Sequence, residues 1–306
     1  MDAVRQIADA VLYEGYILWP YRRSALKNQR RFTFGGVYPR AHSARHPDDR
    51  SIMRTECLVE GDAPDVDVRV RFLHVVDRQV LDASRRPVDD LTVGGERHLS
   101  WQETVEREIG IGPFAIAAGS QEEPLGDAGT IVRSWEPLEG SVATSAQALA
   151  PGLRRITVQV TNTTPFEDTR EQALRRTLCS THMVLRVTSG AFVSLTDPPG
   201  ELQAAAGACH NEGTWPVLVG EPGARDTLLS SPIILEDHPR IAPESPGDLF
   251  DGGEIDALLT LNILSLTDEE KAEMRGTDPR AREILERTEA LSEDELMRLL
   301  VARTQR

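Results

Sequence analysis

Lysine is almost missing from this chain. Lys27 and Lys271 are the only two among 34 basic residues, the rest being arginine. That leaves little room for Schiff-base or phosphate-loop chemistry, both of which want a lysine. Aromatic residues make up only 5%, so a core has to be built mainly from Val, Leu, Ile and Ala. Three cysteines cannot form a dense disulfide framework. No stretch approaches the roughly 20 apolar residues of a membrane-spanning helix. The N-terminal run Met1-Asp2-Ala3-Val4-Arg5 carries an acid early and lacks the apolar core of a signal peptide. A cytoplasmic protein is expected. Net positive charge is also missing: the formal charge is −15, which argues against a general nucleic-acid binder. Recognisable catalytic motifs are absent as well. There is no Gly-x-Ser-x-Gly elbow, no Gly-x-x-x-x-Gly-Lys-Ser/Thr loop, no His-Glu-x-x-His and no dinucleotide fingerprint after a strand.

What is present fits a globular chain. Of 306 residues, 40% are hydrophobic and 27% charged, enough for one large domain or two ordinary ones without staples. Residues 2–18 place Val4, Ile7, Ala8, Val11 and Leu12 on one helical face, and Pro20 ends that helix. Residues 66–76 alternate, with Val66, Val68, Val70 and Phe72 on one side and Asp67, Arg69 and Arg71 on the other. Residues 153–162 alternate likewise, and 101–107, 113–118, 130–135 and 215–219 are shorter strand candidates. Residues 120–128 read as a loop, 168–179 as a helix, and 183–187 with 191–195 as a hairpin around Ser189-Gly190. Prolines 232, 239, 243 and 246 punctuate an extended segment. The tail from 251 reads as helical, with capping boxes at Thr267/Glu270 and Ser292/Glu295 and an Asp278-Pro279 helix start. The expected fold is α+β, a β-rich central sandwich or barrel with an N-terminal helix and a helical C-terminal tail. The segments are 1–54 (helix plus basic aromatic stretch), 55–245 (β-rich core with one helix near 168–179) and 246–306 (tail).

Three constellations could carry chemistry. Cys179 and His182, with Cys209 and His210, supply the ligand types that zinc prefers, and zinc is the cofactor this reading implies. Neighbouring Cys and His residues on a strand face opposite ways, so the four could converge only through a loop; otherwise they are buried structural residues. Asp237, His238, Glu244, Asp248, Asp251 and Glu254 offer oxygen ligands, but their spacing matches no EF-hand loop, and solvated acids and helix caps are the plainer reading. The third constellation is basic and aromatic. Ten basic against five acidic residues lie in 1–54, whereas 236–306 holds 18 acids and 9 bases. Tyr13, Glu14, Trp19, Tyr21, Arg22, Arg23, Lys27 and Asn28, together with Trp215, are the candidate binding residues. Arginine beside aromatic side chains suits docking on an acidic protein surface, on this chain's own acidic tail, or on nucleic acid.

Residues 12–28, 211–220 (Asn-Glu-Gly-Thr-Trp-Pro-Val-Leu-Val-Gly) and 229–251 (Leu-Ser-Ser-Pro-Ile-Ile-Leu running on through His238-Pro239-Arg240 to Asp251) carry a resemblance. Together they resemble a family of actinobacterial-type proteins encoded among genes for high-affinity NiFe hydrogenases. The resemblance spans most of the chain, and the third stretch is its most specific part. It implies association with hydrogenase assembly or function and supplies no catalytic residue. The expectation is a non-enzymatic accessory protein with a hydrogenase subunit or maturation protein as partner. The alternatives are a metal-binding protein or metal-dependent enzyme using the Cys/His set, and a scaffold that pairs through its tail helices.

Overall fold

A computed structural model describes residues 3–13, 35–167, 169–240, 260–277 and 279–292. Helix α1 is Ala3–Tyr13 and the short α2 is Arg40–Ser43. The strands that follow are β1 (Ile52–Glu60), β2 (Val66–Asp82), β3 (Pro87–Val88), β4 (Asp90–Val93), β5 (Glu96–Leu99), β6 (Trp101–Ile109), β7 (Gly112–Ile116), β8 (Gly119–Pro124), β9 (Gly129–Trp135), β10 (Leu138–Ala150) and β11 (Leu153–Asn162). After α3 (Arg170–Leu174) come β12 (Cys179–Val187), β13 (Ala191–Phe192), α4 (Gln203–Gly207), β14 (Trp215–Leu218) and β15 (Thr227–Ser231). Residues 260–264 are helical, and α5 (Asp268–Thr277) and α6 (Pro279–Glu289) follow. No helix among the described residues is long and apolar enough to cross a membrane.

Two antiparallel sheets make the body. The smaller runs β13-β1-β11-β10-β7, and the larger runs β14-β15-β12-β2-β9-β8 with β3 and β6 also paired to β2. The expected alternation in β2 holds: Val68, Val70 and Phe72 are buried between the sheets. They meet Cys57, Val59, Val142, Ile156, Val158 and Val160 from the smaller sheet in one apolar cluster. β2 continues six residues past the expected end, because its second half changes partners. Residues 66–73 pair with β12, and residues 77–82 pair along that same edge with β9. This one long strand curls the larger sheet.

Helices α1, α5 and α6 cover the outer face of the larger sheet. Leu12 of α1, Ile263, Met274 of α5, and Ala281 and Leu285 of α6 meet Leu73, Val75 and Cys179 in a second buried cluster. Ile7 and Ala8 pack on Val217, Val219 and Leu229. The apolar side chains of the tail's described residues named here thus pack on this chain's own sheet. The Thr267/Glu270 box forms as read: the Thr267 N–H donates to Glu270 Oε2 at 3.0 Å and the Glu270 N–H donates to Thr267 Oγ1 at 3.3 Å. Pro279 occupies the first position of α6. Ser292/Glu295, Asp278 and most of the proline-rich segment after Arg240 fall outside the described residues.

Three local expectations are corrected. Residues 119–124 are strand β8 rather than loop, held by pairing with β9 despite their acidic composition. The helix expected at 168–179 spans only Arg170–Leu174, because from Cys179 the chain joins β2 as β12. The second arm of the expected hairpin, β13, pairs with β1 of the other sheet instead of with β12. β10 had no alternating apolar signal, since Gly140 and its Ala, Ser and Thr residues carry little hydrophobic pattern.

Candidate functional site

A cleft of about 200 Å³ opens where the segment 35–53 crosses the ends of β14 and β15. Its walls include Gly35, Tyr38, Asp48, Arg50, Met53, Gly213, Trp215 and Pro232. Backbone bonds place the segment. Val37 and Leu178 exchange N–H···O bonds of 2.9 and 3.1 Å, and the Thr181 N–H donates to the Gly35 carbonyl at 2.9 Å. The buried Asn162 amide donates to the carbonyls of Val37 and Arg176, both at 2.8 Å. Gly35 has φ +56°, and a Cβ there would sit 2.5 Å from Pro232 Cγ, so only glycine allows this approach.

Tyr38 of the cleft wall belongs to a ring stack. His42 is buried, 5.2 Å from the Tyr38 ring and 4.4 Å from the His46 ring, with Phe166 edge-on at 5.9 Å. His42 Nε2 lies 2.8 Å from Asp49 Oδ2, which orients the imidazole. Behind the cleft, the hydroxyls of Thr55, Ser230 and Thr214 are buried and bonded to one another, Thr214 to Ser230 at 2.7 Å. These hydroxyls bond one another, and His42 bonds Asp49, so among the described residues these groups are already engaged. What the walls of the cleft offer a ligand includes an aromatic side chain, a cation and the exposed carboxylate of Asp48. Trp215 is 43% exposed at the start of β14, and the exposed Arg50 makes no ion pair among the described residues. A Gly-Gly doublet such as Gly35-Gly36 is a local turn signal. His42, Asp49 and Arg50 carried no periodic or spacing signal, and only the folded loop assembles them.

The four zinc candidates are not gathered. Among the described residues no group of three or more His, Cys, Asp or Glu side chains is disposed to hold a metal ion. The reason is topological. An extra residue in β12 sets Cys179 opposite Leu73 and His182 opposite Arg71, with Ser180 at φ +50°. This bulge turns both Cys179 and His182 to the outer face of the larger sheet. Cys209 packs with Leu58, Leu153 and Val193 on the outer face of the smaller sheet, and the exposed His210 follows it. Both sheets separate the two pairs.

Each member of that set has a structural setting. His182 is fully buried, with Nδ1 3.2 Å from the Ser180 carbonyl. Burial, with Arg71 adjacent, pushes its pKa down to about 3, so it is neutral at ordinary pH. Burial raises the Cys209 thiol, and it raises the Cys57 thiol further. Neither behaves as a thiolate nucleophile. The His210 N–H donates to Glu56 Oε2 at 2.8 Å. Burial works against the Glu56 charge, but this N–H together with the Arg54 and Arg155 guanidinium groups outweighs it, and the carboxyl sits below its usual range.

Of the oxygen-ligand set, Asp237 accepts bonds from Ser194 Oγ, Thr196 Oγ1 and the Leu218 N–H at 2.5, 2.7 and 2.8 Å. His238 donates its N–H to the Leu218 carbonyl at 2.7 Å. Both clamp the β14 edge. Glu244, Asp248, Asp251 and Glu254 lie outside the described residues, as do Glu14, Trp19, Tyr21, Arg22, Arg23, Lys27 and Asn28. Tyr13 is the last residue of α1. Comparison with protein-family models finds no match, and comparison with curated proteins finds no relative.

Proposed function

We propose that the chain is a non-enzymatic docking protein that serves a NiFe hydrogenase, binding a hydrogenase subunit or maturation protein at the Trp215 cleft. The observation that carries this reading is the exposure of Trp215 beside Arg50 at a cleft. Tryptophan and arginine are the residue types that dominate binding energy at protein interfaces. Two of the stretches that resemble the hydrogenase-associated family, 211–220 and 229–235, meet here: Trp215 to Leu218 pair with Ser231 to Leu228 in β14 and β15. The basic stretch 22–31 precedes Gly35 closely in sequence and adds positive charge for an acidic partner.

The test is affinity purification of the full chain from a hydrogen-oxidising host, alongside Trp215→Ala and Arg50→Glu variants. A hydrogenase subunit or maturation protein should co-purify with the parent chain and drop by about tenfold or more with either variant, the usual loss at a hot spot. A clean pull-down, with hydrogenase activity unchanged after gene deletion, refutes the reading.

A further inference from the structure

The strand edges of this molecule are not protected equally. At β14 the outward-facing positions are Pro216, which has no N–H, and Leu218, whose N–H and carbonyl are occupied by Asp237 and His238. β7 turns Pro113 outward, because Gly112, Phe114 and Ile116 face β10. β8 ends in Glu122, Glu123 and Pro124, and β6 carries Glu103, Glu106, Arg107 and Glu108. Charges and prolines of this kind discourage a second strand from adding to an edge.

Residues 143–150 of β10 have none of these devices. They read Ala-Thr-Ser-Ala-Gln-Ala-Leu-Ala, with no charge and no proline. β7 covers β10 only from Leu138 to Val142, and beyond it no strand among the described residues pairs with that edge. Six successive residues, 143–148, are exposed there. The Glu139 carbonyl accepts the Thr163 N–H on the β11 side, so in strict alternation Thr144, Ala146 and Ala148 direct their N–H and C=O groups outward.

We propose that residues 143–150 form a strand-pairing edge through which two copies of this chain join their five-stranded sheets antiparallel about a two-fold axis. A second copy fits better than a foreign strand for three reasons. The stretch is uncharged, so two identical copies brought together do not repel. Identical antiparallel strands satisfy each other's bonding pattern when an axis passes through one residue; an axis at Ala146 sets Thr144 opposite Ala148 of the second copy. The free stretch is bounded at one end by β7, whose Gly112 already pairs with Val142, and at the other by the Pro151-Gly152 turn, so with the axis at Ala146 the pairing runs from Ala143 to Leu149 of each copy.

The experiment is sedimentation equilibrium on the full chain over a concentration series. It is run for the parent, a Thr144→Lys/Ala146→Lys/Ala148→Lys variant and a Thr144→Glu/Ala146→Glu/Ala148→Glu variant, with thermal melting to confirm that each folds. The parent is expected to be a dimer, each variant alone a monomer, and an equimolar mixture of the two variants a dimer again. A parent that stays monomeric, a dimer that survives in both variants, or a mixture that fails to re-form dimers overturns the proposal.

Discussion

On the outer face of the larger sheet, apolar side chains from α1, α5 and α6 meet Leu73, Val75 and Cys179, and the buried Arg71 is held there by Asp9 and Glu106. On the outer face of the smaller sheet, a strap of residues 193–213 is fastened to β1 by backbone bonds at Val193 and Glu212 and by polar contacts around one carboxylate. Glu56 accepts the His210 N–H, an Arg54 N–H and the Thr157 hydroxyl, while the Asn211 side chain accepts the Glu56 N–H. The first face is closed by area and the second by a polar latch over a small apolar patch. The difference teaches where stability and where local opening should reside.

The helix-covered face should give the largest losses. Leu12→Ala or Leu285→Ala, both from fully buried sites, should cost about 2–5 kcal/mol in denaturant unfolding. Losses near zero would mean that the helices do not share a core with the sheet. Next comes the latch. Glu56→Gln should cost about 1–3 kcal/mol, because a charge-assisted acceptor becomes a weaker one among donors that stay in place. Proteolysis within 193–213 should quicken at the same time, and unchanged cleavage there would dissolve the contrast between the faces.

A pH titration sharpens the comparison further. His182 is held neutral when folded, with pKa about 3 against 6.5 for an ordinary histidine, and His74 is pushed by burial and Arg107 to about 4. Well above pH 6.5 both groups are neutral in either state. As pH falls below 6.5 the unfolded chain takes up protons first, so stability declines progressively towards pH 3. His182→Gln should flatten part of that decline in melting temperature against pH, and an unchanged slope would remove His182 as a contributor. The smallest expected signal is metal content. Protein purified without a histidine tag should carry zinc well below one equivalent, and a stoichiometric, tightly held zinc would contradict the placement of the two Cys/His pairs on opposite faces.

Much of this fold can be read before folding. β2, β6, β9, β11 and β14 announce themselves by alternation or β-branched content, and Thr267/Glu270 and Pro279 by helix-cap chemistry, because such signals are local. β8 and β10 do not, since pairing with neighbours rather than their own side chains holds them extended. The zinc reading shows the limit of spacing. Cys179 and His182 do share a face, through a bulge that no sequence pattern predicted, yet that face is turned away from Cys209 and His210.

Composition alone determined that the core would be aliphatic, that lysine chemistry would be scarce, and that positive charge would gather in the first 54 residues. Those properties depend only on which residues are present and in what order. The tertiary structure alone decided which outer faces Cys179 and Cys209 joined, that Asp49, Arg50 and Trp215 would come together around one cleft, and which strand edge no other described strand would pair. Each of these depends on pairing between residues far apart in the chain, where register and curvature, not local preference, choose the neighbour.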